Sequence, residues 1–504
     1  MSKRRSIQHL STLLVDQGLR IVIQLIMNPI LLAFVGPSLF GFWHFLNRSS
    51  TFVALVISQP TQSLRMLVAI NQSEESDTYR QKTIGIAINL WALVLPVAVV
   101  LCLCVVLTTQ YYLEIPDGSS GELMIVATLL LFVVLLRELA VLPNNVIAAM
   151  NKTHRLLGIK SGSQLINALV TVTLLWLGYG LVSAALGFAA GTMLLGVCGF
   201  VLARRLFPWF KVQRASLQEA RSQLRFNRWY FLCRCFYTFF LTMDVLIIGV
   251  LAGASSVTSF VLCSFAAMLI YNFGILVSAS TFSSFGELSS RDHNDRLTDS
   301  RRITLLILWY VCLTAGLAVV VLNRPFLTLW VGADYHLGSH TDVVIVVSAL
   351  ALAIARIDQN QTALSDLLRE QVLALTLVAL GVLAISYFAY GILGLIGLLS
   401  VFAIARVLML VLLDVLVNNG FTKRLLFDLW RLSLFILLSL LIGTTVSLDW
   451  IDSWIMLVLV TGPVIMSSGL LVFLLLFDKA QRLSIFTEFR AFLGVVLQSL
   501  SLSR

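Results

Sequence analysis

Twelve charged side chains fall inside long apolar stretches of this sequence. Seven are arginines (Arg20, Arg48, Arg65, Arg137, Arg234, Arg356, Arg406) and five are acids (Asp16, Glu138, Asp244, Asp358, Asp414); none is lysine. At the centre of a lipid-facing helix each costs about 2.5–3.5 kcal/mol, so a dozen on lipid would cost roughly 30 kcal/mol or more. Most must therefore face a bundle interior or a water-filled cavity. A guanidinium keeps its charge at any working pH and grips phosphate oxygens two at a time. A cavity with surplus arginine suits an anionic substrate, a phosphate or diphosphate above all. For the deeper arginines (Arg20, Arg48, Arg137, Arg356, Arg406) the competing reading is an ion pair between helices. Arg65 and Asp414 lie near span ends and can snorkel to water. Arg234, about one turn inside its span, can do the same, and is kept in the cationic set.

The clearest pattern is a polar ladder in "DQGLRIVIQLIMNP" (16–29). Asp16, Arg20, Gln24 and Asn28 recur every fourth residue, so they occupy one side of a helix. At 1.5 Å per residue the ladder climbs roughly 18 Å, over half the hydrocarbon core. Asp16 precedes Arg20 in the favourable order for a local ion pair, which leaves Gln24 and Asn28 unexplained. Other spans repeat the theme. Asn47, Arg48, Gln59, Gln62 and Arg65 share one span with Pro60, a kink position; Arg137 is followed by Asn144, and Glu138 by Asn145; "RIDQNQ" (356–361) ends another. An ion-coupling site needs a carboxylate in a low-dielectric setting. Asp244 and Glu138 are the deep candidates, with Asp16. Asp358, beside Gln359 and Asn360, offers oxygens for a sodium ion. For each acid the alternative is a partner to a nearby arginine.

The elements that hold these residues follow from composition. The chain has 504 residues, 59% hydrophobic and 12% charged, with a mean hydropathy of +0.94, against about 25% charged in soluble domains. Fourteen apolar runs, from 12–36 to 453–476, predict an all-α polytopic membrane protein. The first run is preceded by Lys3, Arg4 and Arg5, but its length and charges predict a retained helix, not a cleaved signal. One set of connections holds 27 of the 35 Lys and Arg, and the opposite set only Arg324. Both ends are thus expected in the cytoplasm. Residues 477–504 predict an interfacial cytoplasmic tail. The seven cysteines sit in apolar runs and predict neither disulfides nor a metal site; His336 and His340 share a loop without further ligands.

An internal repeat organises the spans. "FVGPSLFGFW" (34–43) matches "LAGASSVTSF" (251–260), with Gly36 on Gly253 and Trp43 on Phe260. "YGLVSAALGFAAG" (179–191) has a weaker echo in "YGILGLIGLLSVF" (390–402). The expected organisation is a six-helix bundle (1–204), a basic linker (205–228), a second six-helix bundle (229–418), helices 13 and 14 (419–476) and the tail. Repeats of this kind are common in transporters, with substrate between the copies.

The chain resembles the polysaccharide-transporter branch of the multidrug/oligosaccharidyl-lipid/polysaccharide flippase superfamily. The resemblance rests on "FVGPSLFGFW", "MDVLIIGVLAGASSVTSF" (243–260), "NKTHRLLGIKSGSQLINALVTVTLLWLGYGLVSAALG" (151–187) and "FLTLWVGADY" (326–335). It covers nearly the whole chain, and no motif in it is sharp. It implies a V-shaped, alternating-access pair of bundles in the bacterial inner membrane. It also implies a cationic cavity for a polyprenyl-diphosphate-linked oligosaccharide, a precursor of O-antigen, capsule or exopolysaccharide. Arg20 and Arg48 lie in the spans where relatives carry cavity arginines. The expected partners are this substrate and the bilayer, with other polysaccharide-assembly membrane proteins as candidates and no nucleic acid. A monomer without cofactor is expected, coupled to protons or Na+ or to the membrane potential. A cation-coupled multidrug antiporter would instead need an acid-dominated cavity. A membrane-embedded polymerase or glycosyltransferase would need acids at the outer face, where the short loops show no DxD. A pore would need a filter loop, and none is legible.

Overall fold

The computed structural model describes residues 3–58, 64, 77–112, 120–150, 152–213, 215–216, 218, 228–290, 294–363, 367–418, 420–446 and 448–487. Gln59, Pro60, Gln62, Arg65, part of the basic linker and residues 488–504 of the tail lie outside them, as do the side chains of Asn360 and Gln361. Twelve α-helices run through the described residues: α1 Lys3–Ile57, α2 Asp77–Tyr112, α3 Ser120–Ala149, α4 Leu157–Trp176, α5 Val182–Leu206, α6 Arg228–Cys263, α7 Phe265–Ser290, α8 Asn294–Trp330, α9 Ser339–Ala363, α10 Leu368–Val417, α11 Lys423–Thr445 and α12 Trp454–Leu476. Ten are long and apolar enough to cross a membrane. Two of these, α1 and α10, each carry two expected spans, broken at Gly36 and Gly394. Counted with α4 and the shorter apolar α7, the described helices roughly match the fourteen expected spans, and the protein is a multi-pass all-α membrane protein.

The breaks are made by glycines. Gly36 has φ 79 and ψ 169, and Gly253 has φ 81 and ψ 172. Only glycine adopts this region without strain, because a Cβ would meet its own backbone. The two residues are 217 apart and share one conformation, as the repeat requires.

The contacts around them repeat as well. Ser38 and Ser255, also 217 apart, hydrogen-bond to each other at 3.2 Å. The Thr258 hydroxyl donates to the Pro37 carbonyl at 2.6 Å. Conversely, a Cβ on Gly41 would lie 1.8 Å from the Ala254 carbonyl oxygen. Position 41 corresponds to 258 and 37 to 254, so each helix rests the same position on the same carbonyl of the other. This is the reciprocity of a twofold contact. The internal repeat is thus present in the packing as well as in the letters.

The chain forms two compact units, Met1–Thr258 and Ser259–Arg504. In the first, α1 packs against α2, α3 and α4, and α5 against α3 and α4. Phe207, Trp209 and Phe210 close its basic end over Ile84, Val146 and Ile147. In the second, α9 packs against α7, α8 and α10, while α11 and α12 dock on α8 and α9. Arg431 of α11 secures that docking. Its Nε donates to Leu476 O (3.0 Å), Nη1 to Asp428 (2.7 Å) and Nη2 to Gln481 (2.8 Å), and its guanidinium lies 4.4 Å from the Phe477 ring centroid. The helical residues 479–487 thus begin from a fixed point.

Gly41→Ala forces the α1–α6 crossing apart, whereas Gly18→Ala meets nothing within 4 Å. The first is expected to lower the thermal unfolding midpoint of detergent-purified protein by several degrees. The second, a helical Gly→Ala change, should leave it unchanged or raise it. Equal midpoints for the two variants would remove the close crossing.

Candidate functional site

In the first unit the ladder of α1 is partly exposed. Asp16 accepts from Gln164 of α4 at 3.5 Å and lies 4.0 Å from Arg20. The Arg20 side chain is 53% exposed, Gln24 is exposed and Asn28 half-buried. The 4.0 Å contact is loose, so Asp16 leaves much of the Arg20 charge open. Arg137 of α3 has an exposed side chain whose guanidinium end is crowded by protein, 5.5 Å from the Phe188 ring centroid of α5. Arg20 and Arg137 lie within electrostatic reach of each other. Two exposed arginines at mid-span need water rather than lipid against them. Arg20 is thus the shared member, paired loosely with Asp16 and facing Arg137.

The other predicted residues of this unit lie deeper. Glu138, next to Arg137, and Asp244 on α6 are buried, and Arg48 and Arg234 are half-buried. All four are engaged by neighbouring groups. Beside Arg48, the Nε2 atom of His44 is buried with no hydrogen-bond partner among the described residues. Asn144 is spent on structure, donating to Leu195 O of α5 at 3.4 Å.

In the second unit three of the predicted charges are held by neighbours. Arg406 of α10 is 1% exposed and donates to the Ser348 hydroxyl of α9. Arg356 is half-buried and donates to Gln359 Oε1 at 2.6 Å. Asp358 accepts from Arg301 of α8, whose Nε lies 2.7 Å from its Oδ1. Arg301 also donates to Asp414 (2.7 Å) and Asn418 (3.0 Å) of α10. The sequence places Arg301 in a cytoplasmic connection and lets Asp414 snorkel. The structure buries both, at 1% and 5% exposure, because each is the other's counter-charge.

A second buried network sits between α8 and α9. Asp342 accepts from Asn323 Nδ2 at 2.7 Å and from Cys263 Sγ at 3.3 Å, and meets His336 Nε2 at 2.8 Å. His340, in the first turn of α9, is exposed. Sequence reasoning missed this network, although an aspartate in the first turn of an apolar helix was a signal that it needs donors.

Removing Arg301 strands two buried acids. Arg301→Ala is expected to destabilise the protein by about 3–5 kcal/mol, the usual cost of breaking a buried pair from one side. Arg324→Ala, which removes a pair with Asp449 whose side chains are 58% and 56% exposed, should cost no more than about 1 kcal/mol. Chemical denaturation of the two variants side by side checks the contrast.

The sequence has no match among curated proteins. Among solved structures, the fold matches the lipid II flippase MurJ in an inward closed conformation, with a TM-score of 0.64 at 16% identity, over 92% of this chain and 98% of that one. It also matches a Vibrio cholerae MATE transporter, VcmN (TM-score 0.56, 13% identity, 82% and 96% of the two chains). A third match is an inward-facing MATE transporter of the MOP superfamily (TM-score 0.51, 13% identity, 85% and 98%). These likenesses establish the overall fold. A polysaccharide biosynthesis protein family model matches residues 7–281, more than half of the sequence and all of the cationic face of α1 and α3, and on that match the chain belongs to the polysaccharide biosynthesis protein family.

Proposed function

We propose that this protein is a flippase that moves a polyprenyl-diphosphate-linked oligosaccharide from the cytoplasmic to the outer leaflet of the bacterial inner membrane. The observation that carries the reading is the pair of exposed arginines, Arg20 and Arg137, within electrostatic reach of each other on two packed helices. A diphosphate bound there satisfies both guanidinium groups with charge-assisted bonds. Gln24 and Asn28, further along the same face of α1, offer amides to the sugar hydroxyls. Arg48 and Arg234 lie deeper in the same unit and supply positive potential. The lipid tail stays in the bilayer, so the site needs no apolar pocket for it. No bond is made or broken in the substrate.

Alternating access is the mechanism the fold supports, and the repeat supplies its two halves. Asp16, Glu138 and Asp244 are the acids of the first unit through which a proton or Na+ gradient could drive it. Arg356 and Arg406 serve here as structural cations of the second unit, given their bonds to Gln359 and Ser348. Both termini face the cytoplasm in this reading, and the loops' basic bias supports it.

The test is translocation of a fluorescent or tritiated polyprenyl-diphosphate sugar in reconstituted vesicles. Arg20→Ala and Arg137→Ala should each weaken apparent substrate affinity about 10- to 100-fold, the equivalent of one charge-assisted hydrogen bond of roughly 1.5–3 kcal/mol. Arg324→Ala, on the exposed Asp449 pair, should leave it unchanged. Efflux of a cationic dye in place of lipid movement would assign the protein to drug antiport.

A further inference from the structure

The carboxylate of Asp16 has two claimants and closes on neither. Its Oδ2 lies 4.0 Å from Arg20 Nη2, and its Oδ1 accepts from Gln164 Nε2 at 3.5 Å. An aspartate four residues before an arginine is in the favourable order for a helical ion pair. Such a pair closes to about 2.7–2.9 Å when nothing interferes. Here it stands open, and the interference comes from another helix. Gln164 is half-buried on α4, which packs against α1. An ion pair with one exposed member is weakly held, whereas a hydrogen bond to a charged group counts for more. The Arg20 side chain is 53% exposed, so an amide can divert the carboxylate from it. The wall that carries this amide is fixed. Ser163 Oγ donates to the Gly191 carbonyl of α5 at 2.7 Å, and a Cβ on Gly187 would lie 2.0 Å from Thr171 Oγ1. Ser163, Asn167 and Thr171, four apart, occupy the α5 side of α4. Gln164 stands about 100° further round the helix and meets α1.

We infer that Gln164 is a positioning residue: by drawing one oxygen of Asp16 toward α4, it keeps the Arg20 guanidinium open to an anionic group. Gln164 itself touches no substrate. Without its amide, the Asp16 carboxylate has Arg20 as its remaining partner, closes on it and neutralises it. The cation offered by α1 is thus set by a neutral side chain on α4. That Arg20 then takes a diphosphate rests on the flippase reading; the division of Asp16 between two partners does not. A plain tie between α1 and α4 makes a different demand. It would weaken binding and stability whatever stands at position 16, whereas a positioning role vanishes once the Asp16 charge is gone.

A double-mutant cycle on the full-length protein tests this. The first readout is the rate at which phenylglyoxal modifies Arg20 in lipid nanodiscs, located by peptide mass spectrometry, with Arg324 as the reference. Gln164→Ala should slow modification of Arg20 at least threefold and leave Arg324 unchanged. In an Asp16→Asn background, the same substitution should change neither. If Gln164→Ala does not fold, Gln164→Leu, which keeps the bulk, decides. The second readout is translocation of a tritiated polyprenyl-diphosphate sugar in proteoliposomes. Gln164→Ala should weaken apparent affinity about tenfold at an unchanged maximal rate, and should have no effect beside Asp16→Asn. An Arg20 that does not react in wild type, a rate that Gln164→Ala leaves unchanged or raises, or an equal slowing with and without Asp16 overturns the proposal. If Arg20 modification follows the cycle and no lipid moves, the positioning stands and the flippase reading falls. If lipid moves and Arg20 modification ignores the cycle, the positioning falls and the flippase reading stands.

Discussion

A charge inside a bilayer must have either a partner or water, and this chain is arranged around that requirement. Its two units answer it differently. In the second unit, arginines are used as ties: Arg301 joins α8, α9 and α10, Arg406 joins α10 to α9, and Arg431 fixes α11 to the end of α12. Their guanidinium groups are dry, with donors turned onto oxygens of neighbouring helices. In the first unit, Arg20 and Arg137 keep exposed faces. The distinction matters for function, because a cation already saturated by protein has little left for a ligand, while a loosely paired one does. Counting embedded arginines therefore says little until each has been assigned to one side of that divide.

The helix breaks solve a second problem of the same medium. A chain crossing lipid cannot expose backbone hydrogen-bonding groups, so the turns between consecutive spans are kept short and self-satisfied. Gly36, Gly253 and Gly394 change direction within a single residue, and the helical ladder resumes at once on the far side. Small residues near the first two (Ser38, Gly41, Ala254, Ser255) let α1 and α6 approach until hydroxyls and carbonyls touch. Close backbone contact through small residues is how helices associate in a solvent as apolar as they are.

Much of this was legible in the letters. The four-residue ladder put Asp16, Arg20, Gln24 and Asn28 on one side of one helix, and the ten-residue repeat aligned the two glycines that share a conformation. Both signals are local, set by helical period or by backbone need. The second unit's charges were not legible. Arg301 stands in "SSRDHNDRLTDSRR", which reads as a solvated connection, and the acids that bury it are 57 and 113 residues away. Nothing in a local window reveals such partners. A clue was available in the imbalance: Asp358 and Asp414 near the ends of two apolar helices needed a cation, and the nearest basic residues along the chain were not enough to supply one. Asp342 was hidden for the same reason, since its donors Asn323 and Cys263 come from other helices.

The Ser38–Ser255 hydrogen bond joins a position to its own counterpart in the repeat. In a dimer of identical chains such a contact would be tied to symmetry: any substitution would change both sides at once, and a serine could be tested only against a copy of itself. Within one chain the two sides are separate codons. Either serine can be replaced while the other stays, so the contact can become a donor–acceptor pair with a fixed direction, or a large residue against a small one, through single changes. Carrying both positions on one chain thus turns an obligatory like-with-like contact into one that can differ on its two sides.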